Sequence, residues 1–232
     1  MQRSNSLVNA SADAVFICTP PMQMGTLLES KSIVPKSVTS LLYPTVFPTS
    51  SIAVAALEFD ILNLDYPRGF GHLLPICEDE VVMGVIYDSF CSPLMDGRTQ
   101  KDSIRTTRFT VMLSPRVAWL NAISNQTSFD LEPGLQDEII YTSVNALEKH
   151  IGFKLERPYF AHVGIWSNTI PAYPVDHLEN VKKIRNSIKD QLGPKDSCTL
   201  QLVGSALDGV GIGDCVNSAL KSVGKFANQF KM

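Results

Sequence analysis

Apolar positions along this chain fall into three patterns, each predicting a different element. Short apolar runs bounded by turn residues read as strands. Ala14 to Cys18 is one, cut off by Pro20-Pro21, and "CTLQLVG" before Gly204 is another. The longer runs "SIAVAALEFDILNLDY", "VVMGVIYDS" and "RTTRFTVMLS" are rich in β-branched and apolar residues, and they predict an antiparallel sheet from about Ile52 to Leu113. Within it, "GFGHLLPI" and "VVMGVIYDS" flank the acidic turn Glu78-Asp79-Glu80 as a hairpin. Helical spacing appears elsewhere. "QMGTLLES" predicts a short helix, while "PKSVTSLLYPTVFPTS" is an irregular, proline-broken connection. Two helices should follow the sheet. The second starts near Pro133, carries Leu135, Ile139, Leu147 and Ile151, and stops at Gly152. "RPYFAHVGIW" is a further strand. Asp176 with Glu179 then forms a capping-box pattern, opening a helix whose apolar stripe is Leu178, Val181, Ile188 and Leu192, ended by Gly193-Pro194.

Composition narrows the class. The 232 residues, 44% hydrophobic and 19% charged, suit one large or two small folded domains. A net charge of −3 argues against a general nucleic-acid binder. The five cysteines are scattered without a C-x-x-C, so buried thiols are expected rather than a disulfide framework or zinc site. His72, His150, His162 and His177 show no metal spacing. No apolar run approaches the roughly 20 residues that span a bilayer. The start has neither a signal h-region nor an Arg-rich transit pattern. Its first strand reads as interior, so the chain is expected to begin in mid-fold.

The stretch "LVGSALDGVGIGDCVNSAL", Leu202 to Leu220, places Gly204, Gly209, Gly211 and Gly213 between a strand and a helix. Glycines there let backbone approach a ligand closely, and the following helix offers free N–H groups. A dinucleotide fingerprint requires G-x-G-x-x-G and a later acid. The third glycine falls one residue early and no acid follows Asp214, so this is a closing strand and helix, not an opening one.

Four stretches then agree in order with one family. "RGFGHLLPICEDEVVMGVIYDSF" with the following TVML strand, "DAVFICTPP", "IPAYPVDH" and "GSALDGVGIGDCVNSA" together resemble the protoporphyrinogen oxidases, FAD-dependent members of the amine oxidase–like superfamily. The resemblance covers nearly all of this chain but only the C-terminal half of the family's length. It implies an α+β fold, the C-terminal part of an FAD-binding flavoprotein with an antiparallel-sheet substrate domain. The implied division is residues 1–30 as a piece of the FAD domain, 31–157 as the substrate domain, and 158–232 as the closing part of the FAD domain.

For the site, the resemblance implies that Gly204, Gly209, Val210, Gly211 and Ile212 meet the flavin end of FAD. Asp214 would cap the helix, and Trp166 would lie near the flavin ring. Phe70, Gly71, Leu73, Ile86 and Met112 would line an apolar tetrapyrrole cavity. The cofactor carries the hard step of such a reaction, so no catalytic side chain is expected, and no metal. The implied partners are a tetrapyrrole, dioxygen, a peripheral membrane surface at the mitochondrial inner membrane, and a second copy in a homodimer. Ser114-Pro115 stands where the family has a glycine pair, and Asp176 where it has a glycine.

Read without the family, Phe70, Leu73, Ile86 and Met112 are sheet-core residues, Gly71 a bend, and Trp166 core. Arg105 and Arg108 could attract carboxylates or lie on a solvated strand face. The last helix carries Lys221, Lys225 and Lys231 opposite Val216, Leu220, Val223 and Phe226. That stripe packs on the rest of the fold or lies on a membrane. Two other readings of the chain stay open: a different flavin oxidase, an amine oxidase or desaturase, and a cofactor-free fragment acting as a binding module.

Overall fold

The computed structural model describes residues 10–61, 68–78, 81–93, 106–114, 133–196 and 199–229. The chain divides into two compact units, residues 1–49 with 169–232, and residues 50–168. Mixed helices and strands make up both, with an antiparallel five-stranded sheet, which is the α+β class expected.

In the first unit, β1 (Val15–Ile17) pairs in parallel with β7 (Leu200–Leu202). Helices α1 (Pro21–Ser30), α2 (Lys36–Thr39) and α5 (His177–Asp196) pack with them. The connection expected to be irregular contains α2 and a 3-10 turn at Ser40–Leu42, which brings Leu42 into the core. That core joins Ile17, Met24, Leu28, Val181, Ile184, Ile188 and Leu202. On α5, Val181, Ile184 and Ile188 are the buried stripe. Leu178, expected in it, is exposed because it sits in the first turn, off that face. The helix kinks at Gly193, whose φ of +80° suits glycine.

The second unit carries the sheet in the order β3-β4-β5-β2-β6. Its strands are β2 (Thr49–Phe59), β3 (Gly71–Leu73), β4 (Val82–Ile86), β5 (Thr107–Leu113) and β6 (Phe160–Pro171). Helix α3 (Asp88–Cys91) follows β4, and α4 (Pro133–Ile151) covers one sheet face. The core is Ala53, Ala55, Leu57 and Phe59 of β2, Phe109, Val111 and Leu113 of β5, and Val163 and Ile165 of β6, against Ile139 and Leu147 of α4. Alternate residues of every strand therefore turn away from α4. The first of the two helices expected after the sheet, like Arg105 and the Asp79-Glu80 part of the acidic turn, lies outside the described residues.

Candidate functional site

The glycine junction of the first unit is built by a set of polar pins. Beyond β7 the backbone turns at Gly204 (φ +102°) and Gly209 (φ +133°), both in the region open to glycine. Helix α6 (Ile212–Gln229) then begins. A Cβ on Gly209 would lie 2.5 Å from the Asp214 side chain, so the turn closes only because that atom is missing. Asp214 stands inside the first helical turn, not ahead of it, and is therefore not the N-cap expected. Its carboxylate folds back over Gly209 and Gly211.

Two side chains from the I-P-x-Y segment hold the turn. The Tyr173 hydroxyl donates to the Ser205 carbonyl at 2.5 Å and accepts from the Gly209 N–H at 2.8 Å. His177 Nε2 donates to the Leu207 carbonyl at 3.0 Å. The two rings stack with centroids 3.7 Å apart, and Phe47 packs edge-on against both. Burial raises the Tyr173 pKa, and nearby Asp208 and Asp214 add to this against the Gly209 N–H, so the hydroxyl stays protonated.

A second latch crosses from α5. Arg185 forks onto Asp208 at 2.9 and 2.7 Å, the Ser218 hydroxyl donates to the same carboxylate at 2.5 Å, and the Gly204 N–H donates to Ser218 Oγ at 3.3 Å. Burial alone would raise the Asp208 pKa. Arg185 and Ser218 outweigh it and hold the carboxyl below its ordinary value. Tyr173, His177, Arg185 and Asp208 also border a cleft of about 730 Å³ on the outside of this turn, with Gly209 in its wall.

The expected flavin contacts, Val210, Gly211 and Ile212, stand exposed at the start of α6, with Ile212 86% accessible. Backbone N–H groups at a helix start beside an uncovered apolar side chain fit the apolar, hydrogen-bond-accepting end of a flavin. The Asp214 carboxylate would oppose a phosphate there. Further along α6 the stripe Val216, Leu220 and Val223 is exposed, whereas Ser218 and Ser222 are buried.

The expected substrate residues gather on one face of the second unit. In an antiparallel ladder, directly paired residues share a face. Gly71 pairs with Ile86 and Ile86 with Thr110; Leu73 pairs with Gly84 and Gly84 with Met112. Val54 and Ala56 of β2 oppose Met112 and Thr110. All of these face away from the α4 core. A register shift between Val82 and Gly84 makes this possible, moving Val82 to the core face and Gly84 to the other. Phe70, 71% exposed, precedes β3, and its carbonyl accepts from the Tyr87 N–H.

Glycines shape this face. A Cβ on Gly84 would meet Leu73 Cδ2 at 2.7 Å and Met112 Cε at 3.3 Å, so those two side chains lean together over the vacant spot. On β6, alternation puts Gly164 and Trp166 on the same face, and the indole lies back over Gly164, where a Cβ would come within 2.4 Å of it. Trp166 is thus on the face that carries Leu73, Ile86 and Met112, four strand spacings or about 19 Å across the sheet from β3. One border is polar. Thr110 donates to Asp88 at 2.7 Å, and burial raises the Asp88 pKa against the opposing influence of Thr110 and Arg108. A separate cleft of about 970 Å³ lies between α4 and residues 154–161, bordered by Tyr141, Glu148, Arg157 and Tyr159. None of the five expected substrate residues borders either cleft.

Sequence reasoning missed Tyr173, His177, Asp208, Arg185, Gly84 and Gly164. The tyrosine and histidine did carry a signal, since the I-P-x-Y segment pointed to them. The latch and Gly84 depend on long-range partners, and Gly164 on how the neighbouring Trp166 indole folds back.

No protein-family model matches the chain. Among curated proteins it is 29% identical to the protoporphyrinogen oxidase of Bos taurus over 203 residues, covering 84% of this chain and 39% of that protein. It is 30% identical to that of Homo sapiens over 197 residues, covering 81% of this chain and 38% of that protein. The chain therefore spans about two fifths of the length of these relatives. Among solved structures, "Putative protoporphyrinogen oxidase" from Exiguobacterium sp. 255-15 superposes with a TM-score of 0.64 at 21% identity. That match covers 95% of this chain and 42% of that one. It shows the fold.

Proposed function

This chain is related to the protoporphyrinogen oxidases, and on that premise we propose that it supplies the substrate-binding sheet and the closing flavin segment of a porphyrinogen-oxidising flavoenzyme. The observation that carries this is the shared sheet face. Leu73, Ile86, Met112 and Trp166 turn the same way, over glycines that keep the face low and broad. A flat, largely apolar macrocycle matches such a face, and burial there would favour it by roughly 25 cal/mol per Å². The cofactor we propose is FAD, which when bound accepts hydride from the porphyrinogen carbon and passes electrons to dioxygen.

The chain's own residues then have binding and orienting work. The N–H groups of Gly211 and Ile212 would meet the flavin end, with Val210 and Ile212 covering it from water. Tyr173 and His177 keep that turn closed. Leu73, Ile86 and Met112 would seat the macrocycle, and Trp166 would border the flavin ring. No side chain is needed to move a proton in this scheme. The division at residues 30 and 157, a homodimer, and attachment at the mitochondrial inner membrane are proposed from the resemblance alone. Among the described residues no helix is long and apolar enough to cross a membrane.

The test places Met112→Arg in the flavin-loaded protein completed by the remaining family length. A charge on an apolar binding face is costly, so porphyrinogen turnover should fall at least about a hundredfold while bound FAD stays stoichiometric. Parallel loss of flavin and activity would instead mark a folding defect and remove Met112 from the site. Alone, the 232-residue chain should bind FAD weakly, since the glycine turn ahead of α6 carries the Asp214 carboxylate where a pyrophosphate cradle would need positive charge. Yellow, stoichiometrically flavinylated protein from this chain alone would overturn that.

A further inference from the structure

A three-member relay sits behind the substrate face. His72 is the middle residue of β3, between Gly71 and Leu73, and alternation turns it to the opposite side of the sheet. There its Nδ1 is 2.7 Å from the Tyr87 hydroxyl, at the end of β4. Its Nε2 is 3.1 Å from Nδ1 of His150, in the last turn of α4. The imidazoles meet edge to face at 5.0 Å, and Tyr87 packs edge to face on Phe109 of the core. Otherwise β3, a three-residue strand at the margin of the sheet, is paired on one side only, with β4.

We propose that His72, His150 and Tyr87 form a proton-sensitive clamp that holds β3 in place, making His72 and His150 positioning residues for Leu73 and Gly71 on the substrate face. The calling of that face a substrate site rests on the function proposed above; the clamp itself does not.

Hydrogen-bond chemistry dictates the proton sensitivity. Whichever way the relay runs, from Tyr87 towards His150 or back, only one proton lies between the two imidazoles. One ring donates and the other accepts. One added proton leaves an N–H+···N bond between the rings, whereas a proton on each ring sets N–H against N–H at 3.1 Å and adds charge repulsion in a half-buried place. The titratable groups facing His72 are His150 from α4 and Tyr87 from β4. Burial first, and the His150 charge second, lower the His72 pKa, and no carboxylate among the described residues contributes. Burial also raises the Tyr87 pKa, so its hydroxyl remains protonated throughout. Because the folded His72 pKa lies below its unfolded value of about 6.5, the unfolded form binds the extra proton more readily. The clamp is fully effective above pH ~6.5 and is lost as pH falls from there through the folded value.

The experiment is hydrogen exchange on the whole chain from pH 8 to 5.5, read as protection factors and so corrected for intrinsic exchange. The amides that report are Leu74, bonded to the Met83 carbonyl, and Tyr87, bonded to the Phe70 carbonyl. Their protection should fall about tenfold per pH unit below the midpoint, while amides of the β2–β5 ladder hold. His150→Gln keeps a hydrogen-bonding group but removes the second imidazole and its charge, leaving only burial to disfavour a proton on His72, so the β3 pH step should be clearly smaller than in the native chain. Should that variant fold poorly, Tyr87→Phe leaves the core ring in place and should lower β3 protection at pH 8. Constant β3 protection in the native chain, or an equal pH step in His150→Gln, overturns the clamp. Tetrapyrrole binding measured in parallel tests the substrate reading separately, since β3 can loosen at low pH whether or not the face binds a macrocycle.

Discussion

The two units use glycine in opposite ways. In the first, Gly204 and Gly209 provide a backbone conformation, and polar side chains then fasten it: Tyr173, His177, Asp208 and Ser218. In the second, Gly84 and Gly164 provide space, as does Gly71, which also holds φ +153°, and neighbouring atoms fill it: the Val85 carbonyl, the Leu73 and Met112 side chains, and the Trp166 indole. A latched turn should be sensitive to charge and hydrogen bonding. A set of filled notches should be sensitive to a single added methyl. That distinction is open to attack at several points.

The largest effect is expected at Gly71. A Cβ there would lie 2.0 Å from the Val85 carbonyl oxygen, a backbone atom that the β4 ladder holds in place. Gly71→Ala should therefore detach β3 and cost about 3 kcal/mol in the second unit. Thermal unfolding followed by tryptophan fluorescence reads this, since Trp119 and Trp166 both belong to residues 50–168. An unchanged midpoint would mean that β3 contributes nothing to the unit. It also follows that a bulky residue at Gly71 cannot probe the proposed substrate face, because the methyl alone disturbs the fold.

Next is Gly209→Ala, at about 2 kcal/mol. The substitution meets φ +133° as well as the Asp214 side chain at 2.5 Å, where the carboxylate can rotate aside but Cβ moves only with the backbone of the first helical turn. Gly213→Ala is the matching control, because nothing lies within 4 Å of its Cβ position. The control should be neutral or slightly stabilising, as expected for alanine in a helix. Loss of protection at the Gly209 amide in the first variant and not the second is the expected exchange pattern.

How much of this was legible in the sequence divides along the same line. Strand identity was readable wherever alternation is strong: the Val54, Ala56 face of β2 and the Arg108, Thr110, Met112 face of β5 follow from period two once the core side is known. Which face is core was not readable. Val82, Gly84 and Ile86 alternate in sequence, yet the register shift at β4 separates Val82 from the other two. The family resemblance pointed to Phe70, Gly71, Leu73, Ile86 and Met112, while the residues read without it would be sheet core, with Gly71 a bend. Asp208 gave no signal, because its partner Arg185 lies 23 residues earlier, on α5. Asp214 misled for a different reason. An acid after a glycine run looks like a cap, but the helix starts two residues sooner and places it in the first turn. Leu178 likewise lies three residues before Val181 but sits in the first turn, off the buried face of α5.

The smallest effects belong to charge in the first unit. Removing the carboxylate by Asp208→Asn keeps the shape and leaves Arg185, which is partly exposed, without its partner. Solvent screening at that exposure limits the loss to about 1 kcal/mol. The pH dependence supplies a sharper readout. The folded Asp208 pKa lies below its ordinary value despite burial, because Arg185 and Ser218 stabilise the carboxylate. The unfolded chain therefore takes up the proton first, and stability is fully present above the unfolded value near 4. It declines as pH falls from there through the folded value. Exchange at the Gly209 amide should show this acid limb, and Asp208→Asn should abolish it. The second unit should keep its own limb near pH 6.5 in that variant, since His72 and His150 lie among residues 50–168. If Asp208→Asn leaves the limb near pH 4 at its native size, the Arg185–Asp208–Ser218 latch is not what secures the glycine turn, and Tyr173 with His177 must hold it alone.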